Sequence, residues 1–265
     1  MKITRGHYNR KLLTFGAMLF LAIALISTGF AAWIMSSGAE TGFDDGNLSV
    51  GVVTESDLKF SDYQITAGST ALLFEPAKGD VTGDIKGNGT EYESLTFTLT
   101  TTLTPIEYLD EIQISMTFPE TVVAAHNAGY IVLPDCALLA SGQVLTIVEM
   151  NESKEIVITN PESKGIKVTA VKTADGKGLE LTVAVEIAWG SKFGGENPST
   201  YLDEKTSLSA YEKKVELYNF KKTIYGLSFE NETDADGKIK SELLKQVFDH
   251  TQTLQYSLDL FATVN

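Results

Sequence analysis

Ile166-Lys167-Val168-Thr169-Ala170-Val171-Lys172-Thr173-Ala174-Asp175-Gly176-Lys177-Gly178-Leu179-Glu180-Leu181-Thr182-Val183-Ala184-Val185-Glu186-Ile187-Ala188-Trp189 is the stretch that decides the fold. Apolar side chains recur at every second residue, first Ile166, Val168 and Ala170, then Leu179, Leu181, Val183, Val185, Ile187 and Trp189. A period of two places successive side chains on opposite faces of a strand. Asp175-Gly176-Lys177-Gly178 supplies a glycine-rich turn between the runs, so the stretch predicts a β-hairpin with one dry and one wet face.

The same pattern extends on both sides. Leu95, Phe97, Leu99 and Leu103 alternate with threonines, Ile112, Ile114, Met116 and Phe118 repeat the period after Thr104-Pro105, and Ile156 and Ile158 form a shorter run that ends at Asn160-Pro161. Leu48, Val50 and Val52 follow a turn over Gly42 to Gly46, and irregular segments are expected from there to Thr70. The chain closes on Leu254, Tyr256, Leu258, Leu260, Ala262 and Val264, regular enough to predict a strand inside a sheet. Strands succeeding one another without intervening helices predict a mainly β fold, an antiparallel β-sandwich with its sheets packed face to face. The glycines between Lys78 and Thr90 lack both the Gly-Lys-Ser/Thr ending and the strand-to-helix setting of a phosphate loop, and they read as solvated turns.

Two helices are expected in the C-terminal third. Asn197-Pro198 opens one over about 198 to 218, with Tyr201, Leu208, Tyr211, Val215 and Tyr218 on one stripe. Ile239, Leu243, Leu244, Val247 and Phe248 carry the other. With no internal repeat and no second linker, residues 46–265 read as one domain, behind a flexible segment over 32–45 and a leader over 1–31.

That leader combines Lys2, Arg5, Arg10 and Lys11 with an apolar run from Leu12 to Met35. It satisfies two readings, a cleaved export signal or a retained membrane helix. Small residues suit a peptidase at Gly29 and Ala31, cutting before Ala32, or at Ser37 and Ala39, cutting before Glu40. Under either reading the basic head stays inside and the body crosses, so the expected location is extracytoplasmic, with membrane contact through residues 12–35 alone. The whole chain carries −14, and four of its basic residues sit in the head, which leaves −18 on the rest. Arg5 and Arg10 are the only arginines, so the acidic body has no guanidinium fork to grip phosphates, and nucleic acid is not an expected partner. The single cysteine, Cys136, excludes an intrachain disulfide and reads as a buried small side chain.

The passage Ser27-Thr28-Gly29-Phe30-Ala31-Ala32-Trp33, followed by Gly46-Asn47-Leu48, resembles the exported TasA and camelysin-like proteins of Gram-positive bacteria. The resemblance covers residues of about 25 to 50 and implies a jelly-roll sandwich cut by a dedicated signal peptidase between Ala31 and Ala32. It also implies that some members assemble into extracellular biofilm fibres by lending an N-terminal strand to a neighbour. The camelysin side carries a metalloprotease label. A catalytic zinc takes about three protein ligands, whereas His126 and His250 lie far apart in the body, without a His-Glu-x-x-His pairing.

Asn231-Glu232-Thr233-Asp234-Ala235-Asp236-Gly237 admits two readings. In the plainer one an Asp-Gly turn caps the second helix. In the sharper one Glu232, Asp234 and Asp236 offer oxygens to calcium, although the twelfth position, where a bidentate Glu belongs, is Leu243. No other cofactor is expected. No Gly-x-Ser-x-Gly elbow or assignable carboxylate pair occurs, and Trp189, Phe193 and Tyr201 read as core in preference to a sugar platform. The first functional expectation is therefore a non-enzymatic cell-surface or matrix protein whose partners are copies of itself or other surface proteins. The alternative is a membrane-tethered binding module.

Overall fold

The computed structural model describes residues 39–45, 47–54, 57–68, 96–250 and 254–264. The expected leader, the expected cleavage residues Ala31 and Ala32, and the glycine-rich stretch of 78–90 lie outside them. Backbone contacts divide the chain into two units, Met1–Glu40 and Thr41–Asn265. Among the described residues no helix is long and apolar enough to cross a membrane.

The protein is mainly β, with three sheets and four α-helices among the described residues. A six-stranded sheet contains β1 (Ala39–Asp45), β2 (Leu48–Thr54), β12 (Tyr256–Val264), β5 (Leu109–Thr117), β7 (Leu145–Met150) and β8 (Ile156–Ile158), in that spatial order. A four-stranded sheet runs β3 (Lys59–Gly68), β4 (Thr96–Thr104), β10 (Leu179–Glu186) and β9 (Ile166–Lys172). A two-residue ribbon pairs β11 (Ala188–Trp189) with β6 (Ile131–Val132). The helices are α1 (Glu120–Asn127), α2 (Pro198–Glu204), α3 (Ala210–Ile224) and α4 (Ser241–Phe248).

The expected hairpin is present. β9 and β10 pair antiparallel in unbroken register from Leu179 opposite Lys172 to Val185 opposite Ile166. Leu179, Leu181, Val183 and Val185 turn inward, each 1% exposed or less. The turn is pinned by Asp175, whose carboxylate accepts the Thr173 hydroxyl at 2.6 Å and the Lys177 N–H at 3.0 Å. Those bonds hold the Asp175 carboxyl below its ordinary range. On β4 one polar side chain joins the inward row: Thr101 is fully buried and donates its hydroxyl to the Ser61 carbonyl at 2.7 Å. That bond meets the need of a buried hydroxyl for a partner.

The closing strand lies inside a sheet, as its regularity predicts. β12 runs antiparallel to β5 on one side and parallel to β2 on the other. The parallel pair is a departure from an all-antiparallel fold. Parallel neighbours need a long crossover, and here almost the whole body intervenes between β2 and β12. Both sheets feed one hydrophobic cluster, which takes Leu48, Ile114, Leu258 and Leu260 from the six-stranded sheet and Leu99, Leu103, Leu181 and Val183 from the four-stranded one. Phe97 of β4 meets Tyr256 of β12 with ring centroids 6.1 Å apart.

Other expectations need correction. β3 occupies part of the stretch read as irregular, because Phe60, Tyr63 and Ile65 pack inward from a strand whose register against β4 shifts twice. β1 extends through Gly42 to Asp45, so these residues form a strand and not the expected turn, and that strand enters the segment expected to be flexible. The run to Trp189 does not continue β10, since its last two residues leave to pair with β6. The single helix of 198 to 218 is two, α2 and α3. Ser209 stops the first register and starts the second through a capping box, accepting the Glu212 N–H at 3.2 Å while the Glu212 carboxylate accepts the Ser209 N–H at 2.7 Å.

Burial of a leucine stabilises by about 1.5–3 kcal/mol, and truncation adds the cost of the cavity left behind. Leu258 is fully buried between two paired strands. Leu258→Ala is expected to lower unfolding stability by about 2–5 kcal/mol in a denaturant titration.

Candidate functional site: the sheet edges

In the acidic turn, Thr233 bridges to Ile239, the Asp234 N–H donates to the Lys238 carbonyl at 2.8 Å, and Gly237 takes φ +75. Asp234 turns its carboxylate back onto its own loop, where Oδ1 accepts the N–H groups of Asp236 and Lys238. Glu232 points to α3. Its carboxylate meets Lys222 Nζ at 2.8 Å and accepts the Tyr218 hydroxyl at 3.1 Å. The Lys222 contact holds the Glu232 carboxyl below its ordinary range, while burial and that carboxylate raise the Tyr218 hydroxyl to about 12.

Glu232 and Asp234 are therefore engaged with different partners, and Asp236 is exposed. Among the described residues no group of three or more His, Cys, Asp or Glu side chains could hold a metal. The turn closes a small hairpin and does not cap α4, whose N-cap is Lys240 without a side-chain bond. The physical reason is the Thr233–Ile239 bridge, which uses the residues just ahead of the helix.

The histidines are also apart. His126 sits within α1, and its Nδ1 accepts the Leu133 N–H at 3.2 Å. His250 follows α4 and lays its ring against Tyr225, with centroids 4.8 Å apart. Cys136 is 1% exposed, and burial pushes its thiol up to about 12, which removes it as a nucleophile.

Trp189, Phe193 and Tyr201 do come together, in the core. Phe193 is the hub, with ring centroids 6.4 Å from Trp189, 6.2 Å from Tyr201, 5.6 Å from Tyr130 and 5.7 Å from Phe220. Phe193 and Phe220 are 1% exposed or less, so the cluster holds α3 to the β6–β11 ribbon and offers no platform. Gly190 permits the approach, because a Cβ there would lie 2.1 Å from the Gly129 carbonyl oxygen.

What remains is the backbone at the sheet margins, of which those at β8 and β9 lie against each other. An edge strand presents unpaired N–H and C=O groups to any extended segment that reaches it. The six-stranded sheet ends on β1 and β8, the four-stranded sheet on β3 and β9. β8 has three residues, and β3 carries two register shifts with Asp62 at φ +56, and both features blunt an edge. β1 begins at Ala39, after the apolar run that ends at Met35, and is followed by β2, which is in turn fixed by β12. Where β2 and β12 pair, Gly51 stands opposite Asp259, and a Cβ on Gly51 would lie 2.1 Å from an Asp259 carboxylate oxygen. Partial burial there raises the Asp259 carboxyl above its ordinary range, against the opposing effect of a 3.2 Å bond from Ser257.

Comparison of the chain with protein-family models, with curated proteins and with solved structures gave no match.

Calcium at the acidic turn would have to displace Lys222 from Glu232. Calorimetric titration of the body with millimolar calcium is expected to give no binding heat, and a saturable signal lost in Glu232→Gln would restore the calcium reading.

Proposed function

We propose that the chain is an exported, non-enzymatic cell-surface or matrix protein, a jelly-roll-like β-sandwich that assembles with copies of itself through its N-terminal strand. The single observation that carries this reading is the position of β1, an edge strand that begins at Ala39, a short way past the proposed cut. Cleavage between Ala31 and Ala32 leaves Ala32-Trp33-Ile34-Met35-Ser36-Ser37-Gly38 as a new N-terminus continuous with that strand. Extended segments add to open edges because main-chain hydrogen bonds form along the whole length, whatever the side chains. A strand that leaves its own edge for a neighbour's makes a head-to-tail contact, and such contacts propagate into filaments when the rotation does not close.

Two further observations support the sandwich. The shared hydrophobic cluster draws alternate residues from both large sheets, as two facing layers require. The Phe97–Tyr256 ring contact joins them directly. The resemblance of Gly29 to Trp33 to an export and processing passage supports the compartment, and signal peptidase is the partner during export.

Electron microscopy of the chain beginning at Ala32, beside the same body with the leader intact and beside a body beginning at Leu48, tests the reading. Filaments are expected from the chain beginning at Ala32 and from neither of the others. A strictly monomeric chain beginning at Ala32 overturns the proposal.

A further inference from the structure

The acidic body reverses its charge at one cavity. Lys154 in the β7–β8 turn, Lys172 at the end of β9 and Lys177 in the β9–β10 turn line a space of about 450 Å³, together with apolar surface from Pro105, Ile106 and Met150. Ile106 is 5% exposed and Met150 packs on the main hydrophobic cluster, so the apolar side of the cavity is anchored in the core.

Main-chain bonds tie its walls together. The Ile106 N–H donates to the Lys177 carbonyl at 3.0 Å and joins the β4–β5 connection to the β9–β10 turn. Lys172 Nζ donates to the Lys154 carbonyl at 2.7 Å and joins the end of β9 to the β7–β8 turn. Asn151 closes that turn, with Oδ1 accepting the N–H groups of Ser153 and Glu155 at 3.0 and 2.8 Å. Lys154 stands in it at φ +59, a conformation more usual for glycine or asparagine.

The charges favour an anion. In a body with 35 acidic residues against 17 lysines, three lysines meet here beside one lining carboxylate, Glu107. Among the described residues none of the three ammonium groups has a carboxylate within ion-pair distance. Asp175 feels the charge of Lys177, but its carboxylate is engaged by the Thr173 hydroxyl and the Lys177 N–H. Like charges gathered without a counterion repel, so an entering anion relieves that repulsion while gaining its own attraction. Lysine heads act as point charges and lack the planar fork that reads one oxyanion shape, so they suit a carboxylate or a phosphate alike. The apolar lining then selects what the head is attached to. Small-ligand sites of about 300–1,000 Å³ commonly combine apolar walls with a few placed polar groups in this way.

We infer that this cavity binds a small organic anion with an apolar body, its carboxylate or phosphate head at Lys154, Lys172 and Lys177 and its aliphatic part on Pro105, Ile106 and Met150. The site is separate from β1 and stands or falls apart from the assembly reading.

Equilibrium dialysis of the full chain, and of the chain beginning at Ala32, against octanoate and octyl phosphate below their micelle concentrations is the test. Inorganic phosphate and octyltrimethylammonium are the controls. Saturable binding of one octyl anion per chain is expected, and whichever of the two binds more tightly identifies the head group. Lys154→Gln/Lys177→Gln is expected to weaken it about tenfold in a chain that unfolds at the wild-type temperature, since each exposed charge contributes about two- to fivefold. Lys172 is left in place because its ammonium holds the Lys154 carbonyl. Glu107→Gln, which removes a like charge from an exposed position, is expected to tighten binding about two- to fivefold and serves if the lysine variant does not fold. Inorganic phosphate that binds as well as octyl phosphate overturns the apolar body, and octyltrimethylammonium that binds as well as the anions overturns the selection by charge. No saturable binding of either octyl anion, or binding that neither substitution changes, overturns the site.

Discussion

The parallel pairing of β2 with β12 is the constraint on which the rest of the body depends. It joins a strand near the start of the body to the last strand of the chain, from Leu48 opposite Tyr256 to Ala262 opposite Thr54. Every element between them must leave one side of that pair and return to the other. On its far side β12 pairs with β5, so its inward residues Leu258, Leu260 and Ala262 are walled in by backbone on both flanks and by side chains below. Long-range pairing of this kind is costly to form, because loop closure precedes any reward from contact. Once formed, it fixes the N-terminal margin of the six-stranded sheet and leaves β1 as its outermost strand.

The strand elements were legible where one face is wet. β4, β5, β9, β10 and β12 all alternate, and a two-residue period leaves little choice about which face is buried. What escaped the sequence did so for identifiable reasons. β3 mixes Ser61, Asp62 and Gln64 into its apolar row because an edge strand with two register shifts does not keep a clean period. α1 has eight residues with no side-chain cap, too little helical signal to separate Val122 and Ala125 from the strands around them. The capping box at Ser209 and Glu212 was readable, but the stripe from Tyr201 to Tyr218 spans it and conceals the break. Pairing order is a property of the whole chain, and no local pattern distinguishes a parallel neighbour for β12 from an antiparallel one.

The functional candidates divide in the same way. Glu232, Asp234 and Asp236 look alike as a spacing pattern, yet the fold gives one to Lys222 and Tyr218, another to its own loop, and leaves the third outward. Trp189, Phe193 and Tyr201 met as expected and are consumed by packing around Phe193. Chemistry that depends on side chains converging finds little support in these groups, whereas chemistry of the backbone at open edges needs no convergence. In a body of −18, copies repel one another unless opposite charges are brought to the contact.

Hydrogen–deuterium exchange resolved along the chain, compared between monomer and assembled protein, tests the central claim most directly. If the N-terminal strand is the working surface, assembly slows exchange in the N-terminal segment through Asp45, while the inner strands β4, β5, β10 and β12, already protected, stay as they were. Assembly that leaves those edge amides unchanged and instead protects the loops or the helices α2 to α4 would contradict it.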